Sequence, residues 1–244
     1  MLHQLTHYSW PVSPYSAKTR AYLRWRGLSF REVRPSALRL WGQIRPAVGD
    51  AVMPTLRLAD GRWLRDSSVI IDTLDAQNSG PKVMPKTPRQ RLACALMELH
   101  GDEWLVIPAL HYRWNLPENS DFGIAEFGRW GFPLLPRALS KRLVQPIATK
   151  MAGYRRVVGI TPDTSPGVES FTTKLIAQLQ RHLSMHGYLL GERPCMADFA
   201  MYASLWAHLY RDPASTRLFE EAEAVVSWML RLRDGEHAAD GALL

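Results

Sequence analysis

Cysteine is scarce: Cys94 and Cys195 are the only two in 244 residues. Two thiols cannot staple a secreted scaffold, and no basic segment leading into an apolar core opens the chain, so a reducing, cytoplasmic setting is expected. No apolar run is long enough to cross a bilayer; the nearest approach, 199–210, is broken by Ser204 and His208. There is no internal repeat, no low-complexity tract and no glycine-rich phosphate loop after the first strand-like segment. Blocks of like charge are also missing. The net charge is +7, but the tightest arginine groups, Arg20/Arg24/Arg26 and Arg231/Arg233, have the spacing of solvated helix faces. A nucleic-acid partner is therefore not expected, whereas a basic surface would raise the local concentration of an anionic small substrate. A metal centre is not expected either. His182 and His186 stand four apart, but Leu183 fills the place where a metalloprotease motif needs Glu, and no third ligand is near.

What is present divides at a linker. Up to residue 80 the pattern alternates: a short strand over 4–8, then a helix with Ala17, Ala21 and Trp25 at i, i+4, i+8 and Gly27 as its stop. A second strand is read over 29–33, a short helix around 38–44, and a hairpin of 55–58 and 62–65 about Asp60-Gly61. Asp66-Ser67-Ser68 opens another helix carrying Val69, Ile70 and Leu74. The order β-α-β, connector, β-β-α is that of a thioredoxin-like sheet. After the Gly/Pro-rich stretch 77–88 the periodicity is helical. Helices are expected over 89–107 (ended or kinked by Pro108), 136–155, 168–186, 196–210 and 220–233. The polar, glycine-bearing stretch 115–131 reads as a long connection. The expected architecture is an α/β domain over about 1–80 and an all-helical domain over about 89–244.

Ser13-Pro14-Tyr15-Ser16 sits where the first strand turns into the first helix. The first turn of a helix presents unpaired N–H groups and the positive end of the macrodipole, so an anion such as a thiolate is stabilised there. A serine hydroxyl at that point is a natural N-cap and can also donate to the same anion. With serine at both 13 and 16 the chain has no sulfur of its own here, which excludes thiol–disulfide exchange at this turn.

These residues resemble the glutathione transferase superfamily. Trp10-Pro11-Val12-Ser13-Pro14-Tyr15 is similar to the serine-type members, and Ser13-Pro14-Tyr15-Ser16 occupies the place of a glutaredoxin Cys-Pro-Tyr-Cys. Val52-Met53-Pro54 resembles the family's Val-Pro turn with a cis proline. Asp66-Ser67 matches its Glu/Asp-Ser pair, and Gly191-x-x-Pro194-x-x-Ala197-Asp198 its helix-capping signature. The resemblance implies glutathione as co-substrate and a small apolar electrophile as second substrate, in a detoxifying homodimer. By the same resemblance Ser13 would stabilise the glutathione sulfur. Met53 and Pro54 would hold the peptide backbone, Asp66 and Ser67 would anchor the γ-glutamyl end, and Tyr15, Trp104 and Tyr112 would wall the second-substrate pocket. Tyr8 is an alternative hydroxyl, although its place in a strand favours core packing. Two positions depart from the family: Val52 replaces a lysine that meets the glycyl carboxylate, with Gln43 or Arg45 as substitutes, and Cys195 replaces the usual Ser/Thr of the capping box. A non-catalytic binding module, or a glutathione-dependent lyase, isomerase or reductase, remains compatible with the same residues.

Overall fold

The computed structural model describes residues 5–235 and 241–244. The first strand, β1 (Leu5–Tyr8), is followed by α1 (Pro14–Trp25) and β2 (Phe30–Val33). The connector contains α2 (Ala37–Arg39), a π-helical turn Leu40–Ile44 and α3 (Arg45–Val48). Then come β3 (Thr55–Arg57), β4 (Trp63–Arg65) and α4 (Ser67–Gln77). The sheet order is β2-β1-β3-β4. β1 runs parallel to β2, and the β1–β3 and β3–β4 pairs are antiparallel. Gly61, at φ 92, supplies the left-handed residue of the β3–β4 turn. This is the thioredoxin-like arrangement expected from the alternating pattern.

The helical part begins at α5 (Pro88–Leu99), passes through a π-helical turn His100–Trp104 and continues as α6 (Val106–Asn115). The break before Pro108 has two causes. The proline needs a first-turn position, and Gly101 lies so close to α10 (Met196–Ser204) that an added Cβ would meet the Ala200 carbonyl carbon at 2.6 Å. Further along are α8 (Arg137–Val157), α9 (Ser165–Leu183) and α11 (Glu223–Asp234), within a few residues of the periodicity.

One expectation is corrected. The stretch read as a long connection is α7, a 15-residue helix Pro117–Gly131 that pairs with α8 as a hairpin. Its glycines are contact surfaces rather than breakers. A Cβ on Gly128 would meet the Ser140 backbone at 3.0 Å, and one on Gly131 would sit 3.7 Å from both Trp10 and Val144.

A main core joins both halves: Ala17, Ala21, Tyr22 and Trp25 of α1 meet Phe199 and Tyr202 of α10 and Trp228 of α11, all buried. Asp198 anchors the α10 start. Its fully buried carboxylate accepts from the Cys195 amide (2.9 Å) and thiol (3.2 Å), the Leu189 amide (2.9 Å) and the Trp228 indole (3.0 Å). Cys195 therefore keeps the capping geometry, and four donors compensate most of the cost of burying a carboxylate. Cys94 and Cys195 are both buried free thiols.

Candidate active site

Strand register builds the site. Tyr8 pairs with Thr55, and Thr55 with Arg65. One rung of the sheet thus carries the exit of β1 toward Ser13, the entry to β3 just after Met53-Pro54, and the exit of β4 into Asp66-Ser67. The Met53–Pro54 peptide is cis. Ser13, Pro54 and Asp66, far apart in sequence, stand at one end of the sheet because the rung places them there.

Ser13 is the N-cap of α1, in extended conformation, and its Oγ accepts from the Ser16 amide at 3.2 Å. That bond uses a lone pair and leaves the hydroxyl proton available. Capping and donation to an external anion are compatible in one side chain. The following turn, with Pro14 at its start, supplies the amides and the positive end of the dipole.

At the other helix, Asp66 is the N-cap of α4 with φ 74, a left-handed value rare outside glycine. Its carboxylate accepts from the Ser68 amide (2.9 Å) and the Val69 amide (3.2 Å). Two of the amides that would face a bound carboxylate are therefore taken by Asp66 itself. Among the described residues, the first-turn donors left at that end are the amide and hydroxyl of the buried Ser67.

Tyr8 is buried, stacked on Trp63 at 5.0 Å, and its hydroxyl accepts from Gln43 at 3.5 Å. Gln43 is thereby turned toward Tyr8, while the Arg45 guanidinium lies over the Trp41 ring at 4.8 Å. Tyr15 donates to the Asp102 carbonyl at 2.9 Å, and burial pushes its phenol up to about 12. It acts as a joint between α1 and the helical domain. Tyr112 is buried edge-on to His111 at 5.0 Å, and Trp104 lines a cavity of about 250 Å³ with Gly167, Val168 and Phe171 of α9. These two side chains belong to the α6–α9 seam. The apolar cluster that contains Val12 and Met53 takes in Phe122, Phe127 and Trp130 of α7 instead, together with Leu40, Ile44 and Trp63. Phe127 lies 5.9 Å from Trp10 and 6.1 Å from Trp114, ring centre to ring centre.

Two buried ion clusters hold this region and were not identified from sequence. Lys18, fully buried, donates to Ser68 (2.9 Å), Glu98 (3.0 Å) and Asp102 (2.6 Å). Arg113 bridges Asp212 and the carbonyls of Ala207 and Val12. Lys18 stands among Ser16, Thr19 and Arg20, where nothing local sets it apart, and the one local signal for Arg113 is its place between Tyr112 and Trp114. Among the described residues no cluster of His, Cys, Asp and Glu has the geometry to hold a metal ion.

Two family models match the chain: the glutathione S-transferase N-terminal domain over residues 8–82 and the glutathione S-transferase C-terminal domain over 169–234. No curated protein matches it. Among solved structures, the beta-etherase LigF from Sphingobium sp. strain SYK-6 is similar at 21% identity and TM-score 0.62, covering 97% of this chain and 96% of LigF. A glutathione transferase family member from Pseudomonas fluorescens Pf-5, with bound glutathione, is similar at 17% identity and TM-score 0.56, with the same coverages. FzlA from C. crescentus is similar at 15% identity and TM-score 0.58, covering 94% of this chain and 87% of FzlA. At these identities the structural likenesses speak for the fold alone. The two family models and the site-bearing sheet together show that the chain belongs to the glutathione transferase superfamily.

Proposed function

We propose that this protein binds glutathione at the Ser13/Pro54/Asp66 end of the sheet and activates its thiol for attack on a small apolar electrophile. The observation that carries this assignment is the Tyr8–Thr55–Arg65 rung, which gathers a hydroxyl on a helix N-terminus, a sheet edge after a cis proline and a second helix N-terminus. Ser13 donates its free proton to the sulfur while the α1 amides ease the negative charge. A free thiol titrates near 8.5, and a helix N-terminus lowers this by about one unit or more. Met53 offers its backbone to the extended tripeptide, a mode that needs no particular side chain. The Ser67 amide and hydroxyl take the γ-glutamyl carboxylate, and Asp66 faces the α-amino group. The electrophile rests against Phe122 and Phe127, so that sulfur and target are held in one apolar recess.

Two copies pair through Val69 and the exposed α5 stripe Leu92, Leu96 and Leu99, whose four- and three-residue spacing makes one continuous apolar face. Retention on immobilised glutathione, followed by conjugation of an aromatic electrophile and cleavage of an aryl ether in parallel, tests the assignment. Turnover reduced about ten-fold in Ser13→Ala but unchanged in Tyr8→Phe supports it; about one pKa unit of thiolate stabilisation corresponds to that factor. Retention with no turnover of either probe points to a binding module. Failure to be retained overturns the assignment.

A further inference from the structure

The α7–α8 hairpin lies within residues 83–168, between the two stretches that the family models match. α8 is packed on one narrow stripe only: Ser140, Val144 and Ala148 are its buried residues. On the neighbouring stripe Leu139, Leu143 and Ile147 are 46%, 44% and 44% exposed, and Tyr154 and Val157 extend the row. At 1.5 Å per residue this apolar row is about 27 Å long. At the head of the helix, the turn between α7 and α8 carries Leu134, 95% exposed, beside Leu135, with Pro133 and Pro136 on either side.

Charge on this helix has one sign. α8 carries six cations and no carboxylate. Arg137 and Lys141 answer Asp121 of α7, and Arg155 bonds the Trp114 carbonyl and Asn115. Arg142, Lys150 and Arg156 are exposed, with no ion pair among the described residues.

We propose that α8 and the Leu134–Leu135 turn form an interfacial docking face for an anionic lipid bilayer. An exposed apolar row with Lys150 set in it between Ile147 and Tyr154, and with Arg142 and Arg156 to one side, fits the boundary between acyl chains and headgroups. The leucines lie below, and the long Lys/Arg stems carry their charges up to the phosphates. A second copy of the same face is disfavoured, because like charges would meet along the whole helix. Among the described residues no helix is long and apolar enough to span a membrane, and the proposed mode is lying on the surface rather than crossing it. This proposal does not depend on glutathione chemistry.

Flotation of the full chain with vesicles of phosphatidylcholine alone and of phosphatidylcholine plus phosphatidylglycerol provides the test. The protein should float only with the anionic vesicles, and less so as salt is raised. Arg142→Gln and Lys150→Gln should each lower the partition about five-fold, the factor equivalent to about 1 kcal/mol per cation near an anionic surface. Leu134→Glu with Leu143→Glu should abolish it. All four positions are exposed, so helix content and glutathione retention serve as controls for folding. Absence of flotation with the anionic vesicles overturns the proposal, as does flotation that survives the two glutamates. Capture of polyglutamate without flotation also overturns it and assigns the face to an acidic protein. Self-association that Leu134→Glu/Leu143→Glu disperses, again without flotation, assigns it to a second copy.

Discussion

Arg113 donates from Nη1 to the Val12 carbonyl at 3.0 Å, one residue ahead of Ser13 and 101 residues away along the chain. Its other donors are equally committed: Nε to Asp212 Oδ2 at 2.7 Å, Nη2 to Asp212 Oδ1 at 2.6 Å and to the Ala207 carbonyl at 2.8 Å. His208 reaches the same Val12 oxygen through Nε2 at 3.2 Å. The turn that carries Ser13 is thus held from the helical domain by two buried side chains, and Arg113 is a positioning residue.

Removing that clamp has two separable effects. Arg113→Met leaves the fully buried Asp212 carboxylate without its partner, and stability should fall by about 3–5 kcal/mol. Arg113→Met/Asp212→Leu removes both charges and should recover most of that loss. Glutathione-dependent turnover should stay low in both, because Val12 loses the Arg113 donor either way and keeps only the longer contact from His208. Urea melts alongside kcat and KM make the comparison; a stable double variant with wild-type kcat would refute a positioning role.

Ser13→Cys turns a hydroxyl donor into a sulfur at a helix N-terminus, where a thiol pKa is depressed. The variant should form a mixed disulfide with oxidised glutathione, a reaction closed to the natural chain at this turn. Mass spectrometry of the intact variant would show the glutathione adduct. Its absence, with the fold intact, would mean that glutathione does not come to rest beside residue 13.

Lys18 presents three donors to three acceptors, Ser68, Glu98 and Asp102, and so ties α1 to the start of α4 and to the π-helical turn after α5. Lys18→Met would leave two carboxylates facing each other, and a loss of about 3–5 kcal/mol is expected. Glu98→Gln in the same background should return part of it by removing one negative charge. Ser68 follows Ser67, so the glutathione KM should rise with kcat less affected. Thermal melts and steady-state kinetics on the single and double variants are the measurements, and an unchanged melting temperature in Lys18→Met would sink this account.

Much of this organisation is legible from residue pattern because it is local. Ala17, Ala21 and Trp25 announce α1 by spacing, Asp60-Gly61 announces the hairpin, and Ser13 and Asp66 announce caps through residue types that bond their own first turns. α7 was illegible for the opposite reason. Gly123, Gly128 and Gly131 lower intrinsic helix propensity, and only tertiary contact with Arg113, Ser140 and Trp10 shows why small residues are required there. The roles of Lys18 and Arg113 were hidden likewise, since their partners are 50 to 101 residues away. Tyr112 and Trp104 illustrate a further limit: sequence places aromatic residues on a helix but not on which side of it they pack.

Acid sensitivity follows from His7. Its ring is fully buried, bonded through Nε2 to Thr19 Oγ1 at 2.8 Å and edge-on to Phe30 at 5.9 Å. Burial, with the Arg20 charge assisting, pulls its pKa from 6.5 down to about 3. The folded chain therefore holds this imidazole neutral while the unfolded chain protonates it below 6.5. Between those two values the unfolded state binds more protons, so stability falls as pH falls, by about 1.4 kcal/mol per pH unit for this group. Buried His208, shifted downward chiefly by desolvation, adds in the same sense. Asp102, Asp198 and Asp212 act oppositely, because burial raises their pKa values. The informative quantity is accordingly a difference of slopes. His7→Gln, which can keep a hydrogen bond to Thr19 and does not titrate, should show a pH dependence of unfolding free energy shallower by about 1.4 kcal/mol per unit between pH 6 and 4. Urea melts at a series of pH values read this directly, and parallel slopes for the two proteins would mean that His7 is not the group being protonated.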